Sequence, residues 1–190
     1  MSYFPVFVKF DNKRILIVGG GNIALRKLKY LLEFTKNITL ISNEYMNEVK
    51  ELININSLSY EERNYNSKDA KGFDIVIAAI DNINLQEQIY FETRKINCLC
   101  NCVDLKEYCD FIFPAYIKKG DLTIAISTSG SSPAVAKQLK IWLNNLIPNT
   151  IGDFLSQMKE YRKTMPKGIE RMKFLEKKAK DYISSWKEEI

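Results

Sequence analysis

Hydrophobic and polar positions along the chain fall into blocks whose period changes. Residues 13–18 (KRILIV) are a short, mostly apolar run that predicts a strand. Residues 22–34 place Ile23, Leu28, Leu31 and Leu32 near one face at helical spacing, with Arg26, Lys27 and Lys29 mostly off it. Residues 37–42 (NITLIS) alternate and predict a second strand, 44–53 a second helix and 57–61 a weak third strand. Residues 73–79 (FDIVIAA) are almost continuously apolar, as in a parallel strand buried on both faces. A helix over 82–95 follows, with Asp81 or Asn82 as its N-cap, and then a further buried strand over 97–103. Strands alternating with helices predict an α/β fold, an open and mostly parallel sheet with helices on both faces.

The pattern then changes. Residues 111–118 and 122–127 flank Lys119-Gly120-Asp121 and predict a β-hairpin. A polar turn over 127–133 (STSGSSP) leads into a helix over 134–146, with Pro133 in the first turn, where a missing N–H costs nothing. Pro148-Asn149 breaks the chain. The remainder is helical in composition, interrupted at Pro166-Lys167-Gly168. The expected organisation is a nucleotide domain over 1–112, a hairpin and helix over 113–147, and a helical domain over 148–190.

The first strand runs into Gly19, Gly20 and Gly21, and the helix follows at once. Gly19-x-Gly21-x-x-Ala24 in this strand–turn–helix context is a dinucleotide fingerprint of the Rossmann type. Gly19 makes the tight turn, Gly21 admits a pyrophosphate to the backbone, and Ala24 lets the helix pack closely. The pyrophosphate would rest on the N–H groups at the helix start. A glycine turn that binds nothing is the alternative.

Composition narrows the chemistry. The 190 residues contain no histidine, so neither the commonest general base nor the commonest transition-metal ligand is present. No apolar run is long enough to span a membrane, and the start of the chain lacks the basic-then-apolar order of a signal peptide, so a cytoplasmic protein is expected. The net charge is +5. Residues 1–136 balance 16 basic against 16 acidic side chains, so the whole excess lies in 137–190, with 12 against 7. That excess suits either a solvated helical face or a polyanionic partner. No basic–aromatic groove or helix-turn-helix pattern points to nucleic acid.

Candidate site residues follow from strand ends. Asn43 and Glu44 close the second strand, where a ribose is usually recognised, and no Lys or Arg stands there to meet a 2′-phosphate. NAD is therefore expected over NADP, although Asn43 could equally cap the next helix. Ala79 and Ile80 end the fourth strand and are candidate cofactor contacts or core. Asp104 ends the fifth strand and is either a proton acceptor beside the nicotinamide or a residue of a helix cap or surface turn. Cys98, Cys100 and Cys102 share one face of an extended strand, a spacing that suits core thiols better than a metal site, and no metal site is expected. The hydroxyl turn Thr128, Ser129, Gly130, Ser131 is a candidate anion site or a helix cap.

Two stretches, YFPVFVKFDNKRILIVGGGNIALRKLKYLL and NCVDLKEYCDFIFPAYIKKGDLTIAISTSGSSPAVAKQLK, resemble the precorrin-2 dehydrogenase family, which includes the dehydrogenase/ferrochelatase part of siroheme synthase. The glycine turn, N-x-V-D and S-x-S-G-x-S-P carry the resemblance, which covers essentially the whole chain. It implies NAD-dependent oxidation of precorrin-2 to sirohydrochlorin and, in some members, Fe(II) insertion to make siroheme. It also implies a homodimer paired through the hairpin region, with the helical tail helping to close the tetrapyrrole cleft. On this resemblance Asp104 is the catalytic residue, Asn22 and Ile23 make nicotinamide-site backbone contacts, and Asn43 and Glu44 contact ribose. Thr128 stands where some relatives have serine, so a role that needs serine does not transfer. The resemblance further implies a protein without the methyltransferase half of fused siroheme synthases, supplied with precorrin-2 by a separate enzyme. A non-catalytic NAD-binding regulatory module is the competing expectation.

Overall fold

The computed structural model describes residues 3–103 and 105–186. Five parallel strands make one sheet in the order β3-β2-β1-β4-β5: β1 Ile15–Val18, β2 Ile38–Ser42, β3 Ser59–Glu62, β4 Ile75–Ala78 and β5 Leu99–Cys102. The central strands β1 and β4 are buried along their whole length, which is why they read as continuous apolar runs, whereas edge strand β3 is exposed throughout. Helices α1 (Asn22–Leu32), α2 (Asn47–Asn56) and α3 (Ile83–Arg94) connect the strands. The chain winds outward from β1 to β3, then crosses back to β4. Right-handed crossovers accordingly put α1 and α2 on one face of the sheet and α3 on the other.

Local chemistry fixes the boundaries. On α1, Ala24, Leu28 and Leu31 recur at i, i+4 and i+7 and are buried. The side chain of Asn82 caps α3 by accepting from Leu85 N at 3.1 Å. Helix α2 starts at Asn47, three residues later than its apolar pattern suggests. Met46 N donates to Gly20 O at 3.0 Å, and the Ser42 hydroxyl donates to Glu44 O at 2.6 Å, so residues 43–46 are spent on a turn against the glycines. The face of β5 carrying Cys98, Cys100 and Cys102 packs with Val76, Ala78 and Ile89 in one apolar cluster.

A second compact unit begins at Phe113. Its hairpin pairs β6 (Ala115–Lys119) with β7 (Leu122–Ile126), antiparallel. Gly120 turns it at φ +58°, and a Cβ there would sit 2.9 Å from the Gly152 Cα, so the turn and the next helix approach backbone to backbone. Helix α4 (Pro133–Leu146) has Ser132 as N-cap and Pro133 in its first turn. Its last carbonyls are met by Lys119 Nζ, 2.9 Å from Asn144 O and 2.5 Å from Ile147 O. Helices α5 (Ile151–Thr164) and α6 (Ile169–Ser185) pair through Phe154 stacked on Tyr182 and Tyr161 edge-on to Phe174. Among the described residues, no helix is long and apolar enough to cross a membrane.

Candidate functional site

Strand order reverses between β1 and β4, and the carboxyl ends of these two strands meet there. This is the crevice where open α/β sheets bind ligands. The three glycines fill it in three different ways. Gly19 has φ +121°, and a Cβ on it would lie 2.2 Å from Ala79 O, so it is pressed against the end of β4. A Cβ on Gly20 would lie 2.1 Å from Glu44 O, at the end of β2. Among the described residues, a Cβ on Gly21 would meet nothing within 4 Å. Gly21 is also the N-cap of α1, which has no side-chain cap. Among the described residues, the first-turn N–H groups of α1, which include those of Asn22 and Ile23, thus have no side-chain cap. Two glycines shape the turn and the third leaves the cradle open. A dinucleotide pyrophosphate fits this arrangement.

Around the cradle, Asn43 and Glu44 are exposed. Asn43 does not cap α2, whose N-cap is Met46. The Glu44 backbone is locked by the Ser42 hydroxyl, leaving its carboxylate at the strand end. Ala79 is 6% exposed, and its N–H donates to Val18 O at 2.8 Å. Its backbone is therefore packed beneath Gly19. Ile80 is partly exposed, and its carbonyl accepts from Gln86 Nε2 at 2.7 Å. Gln86 was missed in the sequence. It is 4% exposed on α3, and its only signal is a polar residue four positions after the cap on a core-facing helix.

Asp104 lies outside the described residues. Next to it, Val103 is buried and its N–H donates to Ala78 O at 3.2 Å, so strand pairing continues to the residue before it. Burial pushes the Cys98 thiol up to about 12. Cys100 is raised by its hydrogen bond with Cys102, 3.7 Å away, and by burial, and Cys109 by burial. Among the described residues no group of three or more His, Cys, Asp or Glu could hold a metal ion.

In the second unit, the turn before α4 is organised by Thr128. Its Oγ1 donates to Ser132 O at 3.1 Å and accepts from Ser132 N at 3.2 Å, while Ser131 N donates to Thr128 O at 2.9 Å. The hydroxyl at 128 is committed to the turn, a role that either serine or threonine can fill. Ser129 and Gly130 both have positive φ, +50° and +80°. Ser129, Gly130 and Ser131 are exposed. Lys173, Lys177 and Lys180 are exposed at i, i+4 and i+7 on α6. Arg171 does different work: its Nη1 donates to Arg162 O at 3.0 Å and Met165 O at 3.3 Å, closing the end of α5.

A family model described as "Putative NAD(P)-binding" matches residues 6–115, and one described as "Sirohaem biosynthesis protein central" matches 119–140. A siroheme synthase of Pseudoalteromonas translucida is 35% identical over 162 residues, 85% of this chain and 34% of the relative. One of Psychrobacter cryohalolentis is 34% identical over 162 residues, again 85% of this chain and 31% of the relative. One of Buchnera aphidicola is 30% identical over 181 residues, 93% and 38%. The chain thus spans about a third of the length of the curated relatives it matches. The solved structure of "SirC, precorrin-2 dehydrogenase" has the same fold, with a TM-score of 0.80 over 98% of this chain and 96% of that one, at 21% identity.

Proposed function

Since this chain belongs to the NAD(P)-binding family matched over residues 6–115, we propose that it oxidises precorrin-2 to sirohydrochlorin with NAD, a step of siroheme biosynthesis. The observation that carries the cofactor half is the division of labour among Gly19, Gly20 and Gly21, which leaves open space at the bare start of α1. The names of the relatives and of the similar solved structure support the substrate half.

In this reading the pyrophosphate lies on Gly21 and the start of α1, and the backbone of Asn22 and Ile23 makes the nicotinamide-site contacts. Asn43 and Glu44 take the ribose hydroxyls. The stretch 42–46 has no cation for a 2′-phosphate, which favours NAD over NADP. Ala79 and Ile80 bound the cofactor at the end of β4. Bound NAD supplies the acceptor for the hydride that the substrate loses. The proton lost with it passes to Asp104, a carboxylate in a chain that has no histidine to serve as base. Thr128, Ser129, Gly130 and Ser131 form a turn that receives substrate carboxylates. If Fe(II) is inserted as a second substrate, pyrrole protons leave and the same carboxylate can take them.

The protein works in the cytoplasm as a homodimer, without nucleic acid or membrane. Support for pairing comes from α4, where Val135, Leu139 and Trp142 expose an apolar strip.

The test is the full chain with Asp104→Ala. It binds NAD with a Kd within about twofold of the parent and loses dehydrogenation by about 10²-fold or more. Full turnover in this variant removes Asp104 from the mechanism. A regulatory module would bind NAD without oxidising precorrin-2 in either form.

A further inference from the structure

On α3, Gln86, Ile89 and Thr93 recur at i, i+3 and i+7 and are buried, so a glutamine stands in the core-facing row of this helix. Its backbone is held on both sides. Gln86 N donates to Asn82 O at 3.0 Å, and Cys102 Sγ on β5 lies 3.4 Å from Gln86 O. Its side chain reaches back across the turn between β4 and α3, where Nε2 donates to Ile80 O at 2.7 Å. An amide can meet a carbonyl only through its NH2 end, which leaves Oε1 turned away. Among the described residues, Gln86 Oε1 is buried and has no hydrogen-bond partner.

A buried amide with its acceptor unmet is costly as core filling. An unbranched apolar side chain of similar length, such as methionine, would pack there without that cost. What the glutamine adds is control of one peptide. Ile80 C=O and Asp81 N–H belong to the same planar trans unit and point in opposite directions. With Ile80 O drawn toward α3, the Asp81 N–H is turned away from α3. Among the described residues that N–H has no partner, and Asp81 is exposed. This peptide borders the crevice at the strand ends, since a Cβ on Gly19 would lie 3.2 Å from Ile80 Cγ2.

We propose that Gln86 is a positioning residue for the cofactor: by holding Ile80 O it keeps the Asp81 N–H placed to donate to an oxygen of bound NAD. The inference rests on the reading of this crevice as the NAD site. Gln86 is 4% exposed and acts only through the peptide it holds. Without the Nε2 donor that peptide can turn over and present Ile80 O in place of the N–H, so an acceptor faces an acceptor. The net worth of one such hydrogen bond corresponds to about 3- to 10-fold in affinity.

The experiment titrates NAD into the full chain and into Gln86→Met, and reads Kd, Tm, and amide exchange at Asp81 with and without NAD. In the parent, NAD slows exchange at Asp81. In Gln86→Met the Kd for NAD rises about 3- to 10-fold, the Tm equals or exceeds the parent's, and NAD no longer slows Asp81. In steady-state kinetics the loss appears in the KM for NAD and vanishes at saturating NAD. If Gln86→Met does not fold, Gln86→Leu decides by the same readouts. A parental Kd in the variant, or an Asp81 amide that NAD does not slow in the parent, overturns the inference while NAD still binds. A raised Kd accompanied by a Tm several degrees lower marks a merely structural residue and overturns it too. Absence of NAD binding in the parent overturns the underlying reading, and the inference with it.

Discussion

At the scale of single residues, the glycine triplet separates folding from binding. Gly19 has a positive φ and an Ala79 carbonyl where a Cβ would go, so Gly19→Ala should cost about 2–4 kcal/mol of stability. Gly21 has open space in that direction, so Gly21→Asp should fold with the parent's Tm and lose NAD binding, since its carboxylate occupies the pyrophosphate position. Thermal unfolding and NAD titration of both variants check this. Unchanged NAD affinity in Gly21→Asp contradicts the site. The turn-forming part of Gly19 and the close-approach part of Gly21 were legible in the spacing of the motif. The packing of Gly20 on Glu44 O was not, because it depends on where β2 ends relative to β1. For the same reason nothing in the sequence pairs Arg94 with Asp110. They are sixteen residues apart and meet only because the loop after β5 returns to the sheet edge.

At the scale of elements, the apolar pattern located the central strands and the three α-helices of the sheet domain, since each central strand is covered on both faces and each helix on one; the single-turn 3-10 helix Lys106–Tyr108 gave no such signal. The misplaced edges have local causes. Helix α2 starts late because residues 43–46 close a turn on the glycines. The hairpin starts at Ala115 and not at 111 because Asp110 and Phe111 are bonded to Cys100 and Asn101. The C-terminal helices divide their cations between two tasks. Arg171 closes α5, whereas Lys173, Lys177 and Lys180 project at i, i+4 and i+7 into solvent. Replacing those three lysines with alanine should raise the KM for a polycarboxylate tetrapyrrole several-fold at low ionic strength and less at high salt, with NAD affinity unchanged. Arg171→Ala should instead lower the Tm without a selective effect on KM. Steady-state kinetics across a salt series distinguishes the two. Equal effects on both ligands would mark the lysines as a solvated face.

At the scale of the whole molecule, the chain combines a charge-balanced sheet domain with a positively charged helical part, and this asymmetry was visible in the sequence. It fits an enzyme that takes a neutral-motif dinucleotide site and adds attraction for a substrate rich in carboxylates. The central claim is that hydride leaves precorrin-2 for NAD on this protein. The direct measurement mixes the purified chain with anaerobically prepared precorrin-2 and NAD, and follows sirohydrochlorin and NADH by absorbance. The account predicts that the two appear together in equal amounts, at a rate proportional to protein. NAD binding with no sirohydrochlorin, or sirohydrochlorin formed without NADH, would contradict it.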